Sequence, residues 1–177
     1  YKRQVQELLE KYEQNAYQGA DLQFIGTLQT NKVKYLIGKV SLIQSVGSIK
    51  LAECIAKEAK KREICQDILL EVNIGREQSK SGFLPEDLQT ALETLPDLPN
   101  IHIRGLMAIP PVAPEGQKSS RYFAEMQQLF VDISTKKYDN VSMDYLSMGM
   151  TADFEQAIAH GANICLLYTS PSPRDMR

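Results

Sequence analysis

Strand-like and helix-like segments alternate along the whole length of this 177-residue chain. Short apolar runs that are typical of buried strands are separated by segments with apolar residues at helical spacing. The predicted strands are residues 22–26, 42–46, 66–73, 101–109, 143–147 and 162–168, and the predicted helices are residues 2–14, 31–38, 48–62, 85–95, 117–137 and 151–160. Repeated strand–helix units predict a parallel sheet, either doubly wound or closed into a barrel, with ligands at the carboxyl ends of the strands.

Composition and charge argue against nucleic-acid binding and against membrane insertion. The chain is 43% hydrophobic and 24% charged, which predicts an ordinary globular domain. A net charge of −2 provides no basic surface for nucleic acid, and no apolar run reaches the roughly 18 residues of a membrane span. Cys54, Cys65 and Cys165 form no CxxC pair and no disulfide framework. We therefore expect a cytoplasmic protein that has neither nucleic acid nor a membrane as its partner.

The loops that follow the predicted strands are polar and rich in small residues, and they lack the familiar catalytic clusters. His102 and His160, the two histidines, fall in a predicted strand and at a predicted helix end, and no His/Cys/Asp set has metal-ligand spacing. We therefore predict no metal site. Lys32 and Lys80 follow strands and could bind a phosphate or form an imine, although a solvated surface lysine is the simpler interpretation of each.

The segment DYLSMGMTADFEQAIAHG, residues 144–161, has the outline of a phosphate site. Tyr145 and Leu146 predict a buried strand, residues 147–151 a turn, and Thr151 an N-cap for the helix that follows. The first N–H groups of a helix lack intrahelical partners and lie at the positive end of its dipole, so they can hold a phosphate. An ordinary strand–helix connection has the same outline, so the spacing alone leaves both interpretations open.

Four motifs, in the same order and at the same spacing, resemble those of a known family. FIGTLQTNK (24–32), LLEVNIGREQSKSGF (69–83), IRGLMAIPP (103–111) and LSMGMTADFEQAIAHGA (146–162) closely resemble the YggS/PROSC family of pyridoxal phosphate homeostasis proteins. The resemblance implies a (β/α)8 TIM barrel of the alanine-racemase type, of which about six of the eight strands are visible here. It also implies that pyridoxal phosphate is the cofactor and binds at the C-terminal mouth of the barrel.

The same resemblance assigns residues to the cofactor site. It implies that Ser147, Gly149, Met150 and Thr151 form the phosphate loop and that Met107 lies beside the ring of the cofactor. Two further motifs, N-x(6)-KSG and LQxNK, imply a lining for the mouth that consists of Asn73, Lys80, Ser81, Gly82, Gln29, Asn31 and Lys32. Gln23 stands where the family usually has histidine.

The chain departs from the family pattern at both ends. In the family the cofactor is carried as an imine on a lysine of an AVSKT-like motif, which is followed by a GEN motif and a helix. VQELLEKYE (5–13) matches that helix, so we expect the lysine and two strands to lie upstream, and we assign no catalytic residue here. Residues 166–169 replace an Arg-Ile-Gly-Thr-like strand end. We therefore expect a partial barrel domain over residues 1–164 and an aberrant tail over residues 165–177.

Three functions follow from these observations. The leading hypothesis is a protein that binds pyridoxal phosphate for vitamin B6 homeostasis and delivers it, without turnover, to apo-enzymes. The alternative is a pyridoxal-phosphate-dependent racemase or lyase. Racemisation needs an acid or base on each face of the imine, and alanine racemases take a tyrosine for this purpose from a separate C-terminal domain. A third hypothesis is a barrel fragment that binds no ligand.

Overall fold

The computed structural model describes residues 3–111 and 120–167, with only the backbone of residues 3 and 4. Its six strands form one parallel sheet in the order of the sequence. The strands are β1 (Gln23–Phe24), β2 (Leu42–Val46), β3 (Gln66–Glu71), β4 (Ile101–Met107), β5 (Val141–Met150) and β6 (Ile164–Leu166). The α-helices are α1 (Arg3–Glu13), α2 (Val33–Leu36), α3 (Ile49–Lys61), α4 (Leu88–Thr94), α5 (Ser120–Ser134) and α6 (Phe154–Ala159).

The helices pack on one face of the sheet because alternate strand residues supply that face with apolar side chains. Ile68 and Leu70 of β3 belong to the large core between sheet and helices, whereas Leu69 belongs to a smaller cluster with Leu42 and Met107. The face that carries Leu42, Leu69 and Met107 is called the inner face. Because both faces are buried, the central strands are almost continuously apolar, as in other parallel sheets.

A hydrogen bond across the inner face shows that the sheet is strongly curved. The Ser147 hydroxyl of β5 donates to Gln44 Oε1 of β2 at 2.6 Å, although two strands separate β2 from β5. In a flat sheet, three strand spacings would place them about 14 Å apart. The sheet is therefore the curved wall of an incomplete barrel, with β1 and β6 as its edges among the described residues. This confirms the predicted fold class.

The six strands and their helices occur where the alternation predicts them, but several boundaries differ. The predicted helix 31–38 consists of a 3-10 turn, Thr30–Lys32, followed by α2. The predicted helix 85–95 begins later, at Leu88, and ends in another 3-10 turn, Leu95–Asp97. Residues 2, 117–119 and 168, at the ends of other predicted elements, lie outside the described residues.

The predicted turn at residues 147–151 is wrong, because β5 continues through Ser147 and Gly149 to Met150. The predicted N-cap at Thr151 is wrong as well. Helix α6 begins at Phe154, and Asp153 is its N-cap residue. The Asp153 carboxylate accepts the Met150 backbone N–H at 2.8 Å, and this bond fixes the turn between strand and helix.

The predicted tail begins inside the last strand. Ile164 pairs with Ser147, and Leu166 pairs with Met150, so Cys165 lies within the sheet. Residues 168–177 of that predicted tail lie outside the described residues.

Candidate functional site

The loops after the strands meet at the carboxyl edge of the sheet, which is called the mouth. They enclose a cleft of about 270 Å³. Its lining residues are Gly26, Thr27, Ser45, Glu71, Val72, Asn73, Ser79, Lys80, Ser81, Met107 and Ile109. Four residues expected at the site, namely Asn73, Lys80, Ser81 and Met107, therefore share one cleft.

Asn73 shapes the loop between β3 and α4. Its side-chain amide donates to the Glu77 carbonyl at 2.8 Å, and its Oδ1 accepts the Glu77 backbone N–H at 3.1 Å. Phe83 then returns to the end of β3, where its N–H donates to the Glu71 carbonyl at 2.8 Å. Lys80 lies on the intervening turn, with its Nζ 2.8 Å from Glu77 Oε1. The loop therefore places the Lys80 ammonium at the cleft. The hydrogen bond from Phe83 to Glu71 holds the two ends of the loop together.

Glu71 is a site residue that the sequence analysis did not identify. Its half-buried carboxylate lines the cleft and accepts the Ser81 hydroxyl at 3.1 and 3.2 Å. Burial raises the pKa of Glu71, and the hydrogen bond from Ser81 partly opposes that shift. No lysine or arginine in the described part of the chain forms an ion pair with it. Alternation from Leu69 could have placed Glu71 on the inner face, at the mouth.

A second cleft of about 310 Å³ adjoins the first, and Thr27, Ser45, Glu71 and Ser81 line both. Gly82 lines this second cleft. The predicted mouth residues Gln29, Asn31 and Lys32 line neither of the two clefts. Gln29 and Asn31 are exposed, and the Lys32 ammonium lies 5.6 Å from the centre of the Tyr35 ring.

Most of the SMGMT segment lies in β5 beside Met107, and two of its donors are engaged inside the protein. Ser147 is the sheet partner of Met107 and is buried, and its hydroxyl donates to Gln44. The Met150 N–H donates to Asp153. Thr151 lies in the exposed turn after β5. Two donors that the resemblance assigns to a phosphate thus have protein acceptors in this structure.

Gly149 is required for packing of the following helix. Its φ is +92°, and a Cβ built on it would lie 2.5 Å from the Ala157 Cβ of α6 and 3.2 Å from the Phe154 Cα. Real Cβ contacts are not this short, so any larger residue would displace α6 from the sheet. Gly149 allows α6 to approach β5 closely.

A charged cluster lies deeper on the inner face. Arg104 of β4 contacts Asp67 at 2.6 Å and Asp144 at 2.7 Å. The Ser142 hydroxyl donates to the Asp144 carboxylate at 2.6 Å. This hydrogen bond, followed by that from Arg104, lowers the pKa of Asp144. The cluster holds the amino-terminal halves of β3, β4 and β5 together.

Within residues 3–111 and 120–167, no group of three or more His, Cys, Asp or Glu side chains is arranged to hold a metal ion. No helix in these ranges has the length and apolar character needed to span a membrane.

Comparison with known proteins identifies the class. Residues 4–165 match the family described as alanine racemase, N-terminal domain. In solved structures, the chain resembles PipY of Synechococcus elongatus with pyridoxal phosphate bound, at 27% identity and a TM-score of 0.81 over 93% of this chain and 76% of PipY. An alanine racemase of Clostridium difficile shares the fold, with 16% identity and a TM-score of 0.68 over 97% of this chain and 47% of the racemase. The chain therefore belongs to the alanine racemase N-terminal domain family.

Within that class, the sequence relatives define a narrower family. The chain is 47% identical over 167 residues to the pyridoxal phosphate homeostasis protein of Aquifex aeolicus, covering 93% of this chain and 72% of that protein. It is 35% identical to the pyridoxal phosphate homeostasis protein of Pseudomonas aeruginosa, covering 89% of this chain and 66% of that protein. The chain belongs to the family of pyridoxal phosphate homeostasis proteins, which confirms the resemblance found in the motifs.

Proposed function

We propose that this chain binds pyridoxal phosphate at the mouth of the barrel and serves vitamin B6 homeostasis by carrying and delivering the cofactor. The observation that supports it most is the cleft of about 270 Å³, whose lining includes Lys80, Ser79 and Ser81 together with Met107. A cation with hydroxyl donors suits a phosphate, and a buried methionine suits the face of an aromatic ring. A relative, PipY, has been solved with pyridoxal phosphate bound.

Different residues of the cleft are proposed to contact different parts of the cofactor. Lys80 is proposed to attract the phosphate, and its contact with Glu77 keeps its ammonium near the cleft. Met107 offers an apolar contact to the ring. Glu71 opposes an anion when it is ionised, and burial raises the pKa of its carboxyl group. When bound, pyridoxal phosphate supplies an aldehyde that reacts reversibly with amines.

Delivery without turnover suits this lining better than racemisation does. The lining of the cleft contains one carboxyl group, Glu71, and one amine, Lys80, but no histidine, tyrosine or cysteine in the described part of the chain. An enzyme that racemises amino acids needs an acid or base on each face of the substrate. The carrier function is therefore preferred, with apo-enzymes as proposed recipients. A cytoplasmic location is proposed from the free thiols of Cys54, Cys65 and Cys165.

A titration with pyridoxal phosphate tests the proposal. We expect binding at roughly millimolar concentration, and Lys80→Met should weaken it about threefold to tenfold because it removes the charge that faces the phosphate. Lys60→Met, on the exposed face of α3, is the matched control and should leave affinity unchanged. Equal affinity of Lys80→Met and wild type would contradict the assigned site. Turnover of alanine or another amino acid in the loaded protein would contradict the carrier function.

Delivery of the cofactor to an apo-enzyme is tested in a separate experiment. Protein loaded with pyridoxal phosphate is mixed with the apo form of an enzyme that uses this cofactor, and the recovered enzyme activity is followed. We expect faster recovery than with the same free concentration of cofactor. Recovery no faster than with free cofactor would contradict delivery while leaving binding intact.

A further inference from the structure

A cavity of about 670 Å³ lies at the amino edge of the sheet, where the strands begin, and it is larger than the two clefts at the mouth. Its lining comes from the segments that lead into β1, β2 and β3, within residues 12–22, 38–41 and 64–67. This cavity is called the basal cavity. Its volume falls within the roughly 300–1,000 Å³ that small-molecule sites occupy. The mouth lies at the other end of the same strands, so the basal cavity is separate from the candidate cofactor site.

Gln66, the first residue of β3, supplies a buried hydrogen-bond acceptor to the lining. It is only 2% exposed, and its side-chain nitrogen donates to the carbonyl oxygens of Val40, Ser41 and Asp67, each at 3.2 Å. These three acceptors fix the orientation of the amide. No group in the described part of the chain donates to the Gln66 oxygen, although buried polar atoms normally have partners. Because Gln66 lines the basal cavity, a donor bound there can supply this hydrogen bond.

Two opposite charges in the same lining have no ion-pair partner among the described residues. The Asp21 carboxylate, which is ordinarily ionised at neutral pH, accepts Gln23 Nε2 at 3.1 Å but meets no lysine or arginine. The Lys39 ammonium lies 5.1 Å from the centre of the Tyr12 ring and meets no carboxylate. Asp21 and Lys39 also form no ion pair with each other. A ligand that carries both an ammonium and a carboxylate group can contact both charges.

We propose that the basal cavity binds a free α-amino acid with a large side chain. The ammonium group of the ligand donates to the Gln66 oxygen and is attracted by Asp21. The carboxylate group of the ligand is attracted by Lys39. Tyr12 and Tyr17, which also line the cavity, offer ring surface to the side chain of the ligand. An amino acid with a small side chain would leave most of the volume empty, so we expect large amino acids to bind more tightly.

Titration calorimetry with phenylalanine and two analogues tests the proposal in the wild-type protein. Phenethylamine lacks the carboxylate and 3-phenylpropionate lacks the ammonium, while both keep the ring. We expect each analogue to bind at least about threefold more weakly than phenylalanine, because each loses one charged contact. Absence of phenylalanine binding, or equal binding of either analogue, would overturn the proposal.

A third analogue tests the role of Gln66. N,N,N-Trimethylphenylalanine keeps both charges but has no N–H group to donate to the Gln66 oxygen. We expect it to bind about tenfold more weakly than phenylalanine, which is the effect of one lost hydrogen bond to a buried acceptor. Equal or tighter binding would overturn the assignment of Gln66 as the acceptor for the ammonium group.

Substitutions locate the ligand within the cavity. Lys39→Met should weaken phenylalanine binding about threefold and leave phenethylamine unaffected, whereas Asp21→Asn should weaken phenylalanine binding about threefold and leave 3-phenylpropionate unaffected. Lys137→Met and Asp139→Asn are the matched controls, because both residues are exposed in the segment that leads into β5 at the same edge and neither lines the cavity. Losses of equal size in the controls would overturn the proposal.

A variant of the mouth separates the two sites. Lys80→Met should leave phenylalanine binding unchanged, because Lys80 lines the cleft at the opposite edge of the sheet. Weaker phenylalanine binding in this variant would place the amino acid at the mouth and overturn the proposal. None of these titrations requires bound pyridoxal phosphate, so their outcome is independent of the proposed function.

Discussion

Gly105 lies so close to Tyr145 that a Cβ built on it would fall 1.8 Å from the Tyr145 carbonyl oxygen. Its φ of +149° is also rare for residues with a side chain. The contact marks an irregularity in β4. Arg104 and Met107 are three residues apart, yet both lie on the inner face, so strict alternation is broken between them. This bulge places the charged cluster and Met107 on the same side of the sheet.

Replacing Gly105 should therefore be among the most damaging single changes in the chain. We expect Gly105→Ala to lower the free energy of unfolding by about 3 kcal/mol or more, because the backbone of β5 must move away from β4. Urea denaturation measures this change. Gly19→Ala is the control, since Gly19 also has a positive φ, +81°, but has no atom within 4 Å of its Cβ position. Its cost should be about 1 kcal/mol, and equal costs would argue against the close contact.

Gly149 gives a prediction about the packing of α6 against β5. Gly149→Ala should lower the free energy of unfolding by about 2–4 kcal/mol, because the added methyl group meets Ala157 of α6. Adding Ala157→Gly should recover part of that loss, since it removes the opposing methyl group. The double variant is measured with both single variants in a urea-denaturation cycle. Strictly additive costs would show that Gly149 and Ala157 do not meet.

The Asp144 carboxylate makes stability depend on pH at the acidic end. Its pKa in the folded protein lies below the ordinary value of 3.8, because Ser142 and then Arg104 stabilise its charge. Its contribution is therefore present above about pH 4 and is lost as pH falls through the folded pKa. Ser142→Ala should reduce the loss of unfolding free energy at acidic pH, which is measured by urea denaturation between pH 2 and pH 7. Ser134→Ala removes an exposed hydroxyl that donates to the Val131 carbonyl of its own helix, and this variant should not do so.

Glu71 should have the opposite effect on the pH dependence of stability. Burial raises its pKa above the ordinary 4.5, so the folded protein holds this proton to a higher pH than the unfolded chain does, and stability falls as pH rises through the folded pKa. Glu71→Gln keeps an acceptor for Ser81 and should stabilise the protein at pH 7 but not below pH 4. Glu53→Gln, on the exposed face of α3, is the control. If Glu71→Gln is neutral or destabilising at pH 7, the carboxylate is not penalised by burial.

The same substitution should also strengthen the binding of phosphate-bearing ligands to the cleft, because it removes a negative charge from the lining. Phosphate titration of wild type and Glu71→Gln at pH 7 measures the change. Unchanged affinity would place the phosphate away from Glu71.

The strands could be predicted from the sequence because apolar runs and helical spacing are local patterns. The end of β5 could not. Ser-Met-Gly-Met resembles a turn, but Gly149 lies in a strand. There it allows α6 to pack against β5. This contact is between different elements, so local propensity does not encode it. Motifs singled out Asn73, Lys80, Ser81 and Met107, which line one cleft in the structure. They did not reveal that the donors of Ser147 and Met150 have internal acceptors, since hydrogen-bond direction depends on partners such as Gln44 and Asp153.

The hydrogen bond between Gln44 and Ser147 joins residues 103 positions apart, and it can form only after β3 and β4 have assembled between their strands. Such a contact has a high contact order and carries the entropic cost of closing a long loop. We expect it to form late in folding, after the local strand–helix units. Formation of the bond between Gln44 and Ser147 would then coincide with the folding step in which the sheet becomes curved.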